Sequence, residues 1–393
     1  MQPSPVNARA LAKSGMEALQ KGDAPGARAA FEQILHAGQA DASICLALAY
    51  ACRVMKDGDA MIAAVDKTLA LASGNLRALI MKADYLHKLN DARGASAYYG
   101  AVVKTAAAFE TLPPDVRDDV VQAQAMSDRY TAQFDIDLRR QLVERGLSDG
   151  PSTQRFRQSL DILSGRKVRY LQEPRVYFFP ELAQIQFFDR SDFPWLTPVE
   201  AETAAIRAEL IEIMKEDAAF KPYVQPNPNR PQQNQGGMVN NPDWSAFYLW
   251  KDGVIVAENA RRCPHTMRAL ADVPFARMPG RSPSVLFSLL RPGAHIPAHN
   301  GFVNTRLICH LPLIVPNGCR FRVGNEVRQW VEGKAWLFDD TFEHEAWNDS
   351  DKVRVILLFE NWRPELNDAE RAQVCALFQA IDEHSGSLPS WEI

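Results

Sequence analysis

The sequence of 393 residues lacks any run of about 20 apolar residues, the length needed to cross a bilayer. Its six cysteines form no CxxC pair and show no spacing typical of a disulfide framework. Neither sign of charge dominates, because 44 Lys and Arg against 48 Asp and Glu give a net charge of -4. We therefore expect no membrane span and no nucleic-acid partner, and we expect reduced thiols in a cytoplasmic protein.

The first residues, MQPSPVNARALAKSG, contain no apolar stretch of the kind that a secretory signal requires, so no export signal is expected there. The hydrophobic content of 46% and the charged content of 23% are typical of a globular protein. The chain is too long for one ordinary core, which predicts two domains. The abundance of alanine and arginine suits a bacterial source.

The first hundred residues are rich in alanine and nearly free of proline, and three of their segments align. The segments begin at Gly22, Gly58 and Asn90, with a mean spacing of 34 residues. The alignment places three small residues in one register: Ala27, Ala63 and Ala95. A period near 34 with this pattern resembles tetratricopeptide (TPR) repeats, in which helix pairs stack. An unrelated alanine-rich helical bundle is the alternative.

The sequence changes in character after Lys167, where Tyr, Phe, Trp and Pro become frequent. From Ser284 onward short apolar runs alternate with turns, which predicts a β-sandwich or barrel with helices packed outside. We therefore predict an α+β multidomain chain, with TPR-like α-helical repeats and a helical linker over residues 1–165. A β-rich domain is predicted over residues 166–393. The polar, proline-rich segment from Val224 to Gly237 is predicted to be a surface loop or a lid.

Two predicted strands carry polar side chains on faces that are otherwise apolar. Alternation puts Arg306 and His310 on one face of TRLICHLP, and it puts Arg354 on one face of KVRVILL. Both faces of each strand are largely apolar, so both are expected to be covered. A buried guanidinium without a partner is costly, so Arg354 is expected to meet a bound anion or a distant carboxylate.

Four of the eight histidines lie between Arg291 and Leu366, and two of them, His295 and His299, occur in GAHIPAHNGF. In the common non-haem iron site, two histidines and one carboxylate occupy one face of the metal. The carboxylate usually lies two residues after the first histidine, and here that position is Gly301. Glycine has no side chain to bind a metal, so this motif alone favours a structural histidine.

The wider sequence is more specific than this single motif. The stretches RPGAHIPAHNGFVNTRLICHLPL, FDDTFEHEAWN and VRVILLFENWRPEL resemble the catalytic domain of the aspartyl/asparaginyl β-hydroxylase family. The resemblance is densest from Ser288 to Leu366 and extends more weakly from about Lys167 to the C-terminus. It implies an iron(II)- and 2-oxoglutarate-dependent dioxygenase with a double-stranded β-helix (jelly-roll, cupin-like) fold. In this family two histidines hold the iron, glycine replaces the acid, and TPR-like helices can precede the domain.

The resemblance implies a role for each matching residue. His299 and His344 match the two iron ligands. The resemblance thus implies that they are catalytic residues, because they hold the iron at which O2 reacts. Arg354 matches the arginine that holds the distal carboxylate of 2-oxoglutarate. Ser288 matches the serine that assists this arginine, and His310 matches a histidine near the other carboxylate of the co-substrate.

The candidates for substrate binding are less clearly marked. Arg306 matches a family arginine that supports the substrate or the pocket, and the segment DWSAFYLW adds Asp243 and Trp250. The family pattern has a second arginine two residues after Arg306, where this chain has Ile308. One carboxylate-binding group is therefore absent, which puts an aspartyl substrate in doubt. His295 matches neither role and is predicted to be a loop-packing residue.

These implications together predict hydroxylation of the β carbon of an Asp or Asn residue, or of a related acid. Succinate and CO2 would be co-products, and the TPR-like repeats would present a peptide or protein substrate. Two other enzyme classes stay open: a halogenase, because halide could take the place of the absent carboxylate, and a hydroxylase of a small molecule. A non-catalytic TPR and cupin binding protein is disfavoured, because both histidines, Ser288 and Arg354 are retained.

Overall fold

The computed structural model describes residues 7–147, 154–216, 218–226 and 236–385. The chain divides into two compact units, Met1–Lys167 and Val168–Ile393. Each unit has buried apolar clusters formed from its own residues. In these ranges no helix is long and apolar enough to cross a membrane. Most of the predicted loop or lid from Val224 to Gly237 lies outside the described residues.

The first unit consists of helices in the ranges that the structure describes. Six helices of similar length come first, and a long and a short helix follow. They are α1 (Ala8–Gln20), α2 (Ala24–His36), α3 (Ala42–Val54), α4 (Gly58–Leu71), α5 (Leu76–Lys88), α6 (Ala92–Ala106), α7 (Arg117–Glu144) and α8 (Gln154–Leu163). Each of the first six begins after an Asp or Asn whose side chain accepts a backbone N–H, a cap that stabilises a helix by about 1 kcal/mol.

The helix starts in this unit repeat with a fixed period. Helices α3 and α5 each begin 34 residues after the preceding odd-numbered helix, and α4 and α6 keep the same distance from their even-numbered predecessors. Consecutive helices contact each other from α1 to α7. The prediction of TPR-like helical repeats is therefore confirmed by the helices themselves.

The predicted register of the middle repeat is wrong by two residues. Met61, which is buried, takes the position of the buried Ala27 and Ala95, whereas Ala63 is exposed. The error arose because both copies contain the string GDA. In the first copy its aspartate, Asp23, caps the helix, but in the second copy the cap is Asp57, which precedes the string.

The second unit contains two antiparallel sheets in its described part. The larger sheet has the order β1-β2-β4-β11-β6-β9, with β3 paired to β2, and the smaller has the order β5-β10-β7-β8. The strands are β1 (Lys221–Pro222), β2 (Trp244–Lys251), β3 (Val254–Ile255), β4 (Val285–Leu290), β5 (His295–His299), β6 (Arg306–Ile314), β7 (Cys319–Val323), β8 (Glu326–Arg328), β9 (Trp336–Phe338), β10 (His344–Asn348) and β11 (Arg354–Trp362).

Helices pack around the strands in the described part of this unit. The helices are α9 (Leu196–Ala201), α10 (Thr203–Ile213), α11 (Ala257–Arg261), α12 (Pro264–Ala269) and α13 (Asp368–Ser385). Apolar residues of α9 and α10 pack with Leu307, Cys309 and Leu311 of β6. The alternate residues Ile308 and His310 point to a cavity on the opposite face. The predicted coverage of both strand faces is thus confirmed, and the β-rich second domain with flanking helices is observed. The double-stranded β-helix connectivity stays a prediction.

Candidate active site

His299 and His344 lie opposite each other on neighbouring strands of the smaller sheet. Strand β5 ends at His299, β10 begins at His344, and the register pairs the two directly. Their ring centroids are 4.1 Å apart. The Nδ1 atoms lie 2.7 Å and 2.9 Å from the carbonyl oxygens of Pro297 and Phe342, respectively. Because a carbonyl only accepts, each Nδ1 carries the proton, and the Nε2 lone pairs are left for a metal.

Both imidazoles are neutral at neutral pH. Burial and the neighbouring imidazole lower the pKa of His299 to about 3, and burial lowers the pKa of His344 to about 4. A histidine must be neutral to bind a metal. In the described ranges no third His, Cys, Asp or Glu joins the pair in a metal-binding group. The donor set therefore fits an iron ion that keeps several positions open for other ligands.

The lowered pKa values predict that metal binding responds weakly to pH. Two imidazoles with ordinary pKa values near 6.5 would lose roughly tenfold in metal affinity between about pH 7.5 and about pH 6, because protons compete with the metal. With pKa values of about 3 and 4, these two histidines stay neutral across that range. We expect the Mn(II) affinity, measured by calorimetry, to change less than about twofold. A tenfold loss would show that the histidines titrate normally.

Gly301 occupies the position where a third ligand would be expected, and Asp340 packs against it. The Gly301 N–H donates to the Asp340 carbonyl at 2.6 Å, and a Cβ on Gly301 would lie 2.2 Å from the Asp340 carboxyl. This carboxyl is buried, and it accepts a hydrogen bond from Arg306 at 3.2 Å. A side chain at position 301 would therefore have to displace an ion-paired carboxylate.

This contact predicts that Gly301→Ala destabilises the protein by about 1–3 kcal/mol, the usual cost of overpacking a core. Chemical denaturation measures the change in the free energy of unfolding. In an Asp340→Ala background the obstructing carboxyl is absent, so the same substitution should cost much less. If Gly301→Ala costs the same in both backgrounds, the collision with Asp340 is not its cause.

A cavity of about 290 Å³ adjoins the two histidines, and Arg354 lines it. The Arg354 side chain is almost fully buried, and its guanidinium lies 4.9 Å from the ring centre of Trp330. Neither Nε nor Nη1 has a hydrogen-bond partner among the residues that the structure describes. Burial lowers the pKa of Arg354 to about 10, so the group is still charged at neutral pH. A buried charge of this kind needs an anion, and the cavity gives one access.

Ser288 and His310 line the same cavity on the strands that flank β11. Strand pairing places Ser288 opposite Ile356 and His310 opposite Leu358. The His310 ring packs among aromatic rings, burial lowers its pKa well below the usual value, and its Nδ1 has no partner in the described ranges. The three residues predicted to bind the co-substrate therefore lie together on one wall.

Arg306 also lines the cavity, but its charge is already matched. Its guanidinium forms buried ion pairs with Asp340 and Glu360, both of which line the cavity as well. Buried ion pairs of this kind hold a wall in place. The position of Arg306 therefore suits support of the pocket better than direct binding of a substrate carboxylate.

The structure does not bring Asp243 and Trp250 to the two histidines. Asp243 is half-buried outside the cavity, and its carbonyl accepts the Arg291 N–H. Trp250 packs in the apolar core and lines a separate cavity. For Trp250 the reason is a register shift in β2 between Tyr248 and Trp250, since a bulge moves the following side chain to the other face.

The residue of this strand that does line the cavity is Trp244, which sequence reasoning missed. Its ring stacks on Tyr223, with centroids 4.1 Å apart and planes at 16°. A second cavity of about 300 Å³ shares Trp244, His299 and Arg175 with the first and is lined also by Met238. Strict alternation would have put Trp244 and Trp250 on one face, so only the bulge distinguishes them.

Comparisons with known proteins agree with the sequence motifs. Residues 200–364 match the family model described as "Aspartyl/Asparaginyl beta-hydroxylase", which confirms the predicted resemblance. The ornithine lipid ester-linked acyl 2-hydroxylase of Rhizobium tropici is 34% identical over 47% of this chain and 63% of its own length. Human aspartate beta-hydroxylase domain-containing protein 2 is 33% identical over 53% of this chain and 55% of its length.

The human aspartyl/asparaginyl beta-hydroxylase is 38% identical over 34% of this chain and 18% of its own length. The chain thus spans less than two-thirds of each of these relatives. Among solved structures, the chaperone SycD of Yersinia enterocolitica is 14% identical over 34% of this chain and 98% of its own, with a TM-score of 0.29. The TPR2B domain of yeast Sti1 is 19% identical over 32% of this chain and 97% of its own, with a TM-score of 0.27.

Proposed function

Residues 200–364 match the aspartyl/asparaginyl β-hydroxylase family, and on that premise we propose an iron(II)- and 2-oxoglutarate-dependent dioxygenase. The reaction would convert a C–H bond, O2 and 2-oxoglutarate into an alcohol, succinate and CO2. One observation carries the proposal: two neutral imidazoles with available Nε2 atoms share a cavity with a buried guanidinium whose Nε and Nη1 have no hydrogen-bond partner in the described ranges. An anionic co-substrate that also binds the metal would satisfy both groups.

Each residue of the site has a defined task in this proposal. His299 and His344 would hold the iron, which supplies the oxygen chemistry that no side chain can perform. Arg354 binds the distal carboxylate of 2-oxoglutarate, and the Trp330 ring keeps the guanidinium in place. Ser288 donates a hydrogen bond to the same carboxylate. The surrounding aromatic rings exclude water, which strengthens these electrostatic contacts.

The names of the relatives suggest one type of reacting carbon. The β carbon of an aspartyl residue is a methylene next to a carboxyl group. Position 2 of an ester-linked acyl chain is likewise a methylene next to a carbonyl. We propose that this chain hydroxylates a methylene of this type. An Asp or Asn residue of a peptide is the first candidate substrate.

A neutral acyl chain is the second candidate, and the charges of the cavity favour it over a free aspartyl carboxylate. Of the arginines that line the cavity, Arg306 is paired with two carboxylates and Arg354 lies at the proposed co-substrate end. Arg175 is exposed, and it lines the second cavity as well. Ile308, where the family has an arginine, contributes no charge. A free substrate carboxylate would thus lack a buried partner, so an ester or amide carbonyl fits better.

The test is incubation of the full chain with Fe(II), 2-oxoglutarate and one candidate substrate at a time. Matched Asp and Asn peptides and an acyl ester in detergent are compared, with succinate and product mass as readouts. A gain of one oxygen atom together with increased succinate identifies the substrate class. A halogenated product in chloride buffer would favour the halogenase. Failure to form any succinate, with or without substrates, would refute the dioxygenase.

A further inference from the structure

Trp244 lies between the two functional ends of the cavity. Its Nε1–H donates to the Ser288 hydroxyl oxygen at 3.2 Å. Its ring stacks on Tyr223, and its centroid lies 6.0 Å from that of His299. One side chain therefore contacts the serine of the proposed co-substrate pocket and also borders the metal ligand.

The direction of this hydrogen bond leaves the hydroxyl hydrogen of Ser288 available to donate. An indole N–H can only donate, so the Ser288 oxygen must accept here. The hydroxyl hydrogen of Ser288 then remains to donate to another group. Ser288 lines the cavity, and its strand neighbour Ile356 lies two residues after Arg354 on the same face. Without the indole, Ser288 could instead turn its hydroxyl hydrogen away from the cavity and toward a backbone carbonyl.

We infer that Trp244 is a positioning residue that orients the Ser288 hydroxyl as a donor to the 2-oxoglutarate carboxylate bound by Arg354. The inference rests on the proposed function, because it requires 2-oxoglutarate in this cavity. Trp244 then affects the affinity for 2-oxoglutarate only by orienting Ser288. A Trp244 side chain that only fills space would act independently of the serine.

A double-mutant cycle tests this coupling. Calorimetry measures 2-oxoglutarate binding to the full-length, Mn(II)-loaded protein without oxygen. Trp244→Phe keeps an aromatic ring but removes the donor, and it should weaken binding about three- to tenfold, the usual effect of losing one hydrogen bond. Ser288→Ala should weaken binding roughly tenfold. The double variant should bind no more weakly than Ser288→Ala alone, because the two changes remove one interaction.

The chain offers a matched control on the same strand. Trp250→Phe makes the identical substitution, but Trp250 packs in the core beside a different cavity. Its 2-oxoglutarate affinity should stay within about twofold of the wild type. Mn(II) affinity should be unchanged in every variant. If Trp244→Phe does not fold, benzothienylalanine at position 244 removes the N–H while it keeps the shape of the ring.

The outcomes separate this inference from the proposed function. If the wild-type protein binds no 2-oxoglutarate, the proposed function fails, and the inference fails with it. If the wild type binds but Trp244→Phe and the benzothienylalanine variant bind equally well, only the inference is overturned. Additive losses in the double variant would also overturn it, because Trp244 would then act without Ser288. The inference is supported if Trp244→Phe weakens 2-oxoglutarate binding only when Ser288 is present.

Discussion

Replacing His299 or His344 with alanine is expected to reduce 2-oxoglutarate turnover by more than about 100-fold. Even the loss of a group that only orients a metal ligand typically costs 10- to 100-fold in affinity or activity, and these two residues are the proposed ligands themselves. The part of the chain that the structure describes offers no third donor to this pair, so one remaining imidazole is not expected to retain the iron. Succinate formation in saturating Fe(II) and 2-oxoglutarate measures the effect.

His295→Ala is the matched control for this prediction. His295 lies at the other end of strand β5, where its ring stacks on Trp347 with planes at 3°. Its Nε2 atom lies 3.0 Å from a Glu345 carboxylate oxygen, and the exposed ring does not line the cavity. This variant should retain most of the activity. Full activity of either His299→Ala or His344→Ala would refute the assignment of the metal ligands.

Arg354→Ala is expected to raise the required 2-oxoglutarate concentration about 30- to several-thousand-fold. Loss of one partner from a buried, hydrogen-bonded charge pair typically costs about 2–5 kcal/mol. The cost is large here because the cavity has no second buried arginine whose charge is unmatched, among the residues that the structure describes. The apparent affinity is measured by titrating succinate formation, and Mn(II) affinity should remain as in the wild type.

Arg320→Ala serves as the charge-matched control, because Arg320 is partly exposed and paired with Asp349. It removes the same charge from the same unit and should leave the 2-oxoglutarate requirement unchanged. Arg354→Lys retains the charge but loses the planar, forked donor geometry, so an intermediate affinity is expected. Unchanged affinity in Arg354→Ala would mean that this arginine serves the structure rather than the co-substrate.

The helical repeats of the first unit were predictable, because the pattern that marks them lies within short segments of the sequence. The mean spacing of 34 residues between the three aligned segments predicted the helical repeats, and the structure adds the six Asp and Asn caps. The register of the middle copy was not predictable from matched letters, because the cap and not the string GDA defines the helix start. The binding partner of the repeats and the boundary at residue 165 stay predictions.

The candidate site depended on strand alternation, and it was predictable where the strands are regular. In β6 alternation put Arg306 and His310 on one face, and in the structure both residues line the cavity. In β2 a bulge between Tyr248 and Trp250 reverses the face, and no residue type in that segment marks the bulge. The close packing of Asp340 against Gly301 was also hidden, because the two residues are distant in sequence. Sequence alone could not reveal the ion pairs of Arg306 either, because Asp340 and Glu360 are also distant from it in sequence.

The central claim is that two histidines and Arg354 form a 2-oxoglutarate-dependent oxygen-activating site. The most direct measurement follows the fate of oxygen atoms in the wild-type chain, supplied with Fe(II), 2-oxoglutarate and dioxygen labelled with heavy oxygen. We expect succinate that carries one labelled oxygen atom, formed slowly without substrate and only when Fe(II) is present. Succinate without label, or no succinate above the enzyme-free rate, would contradict it.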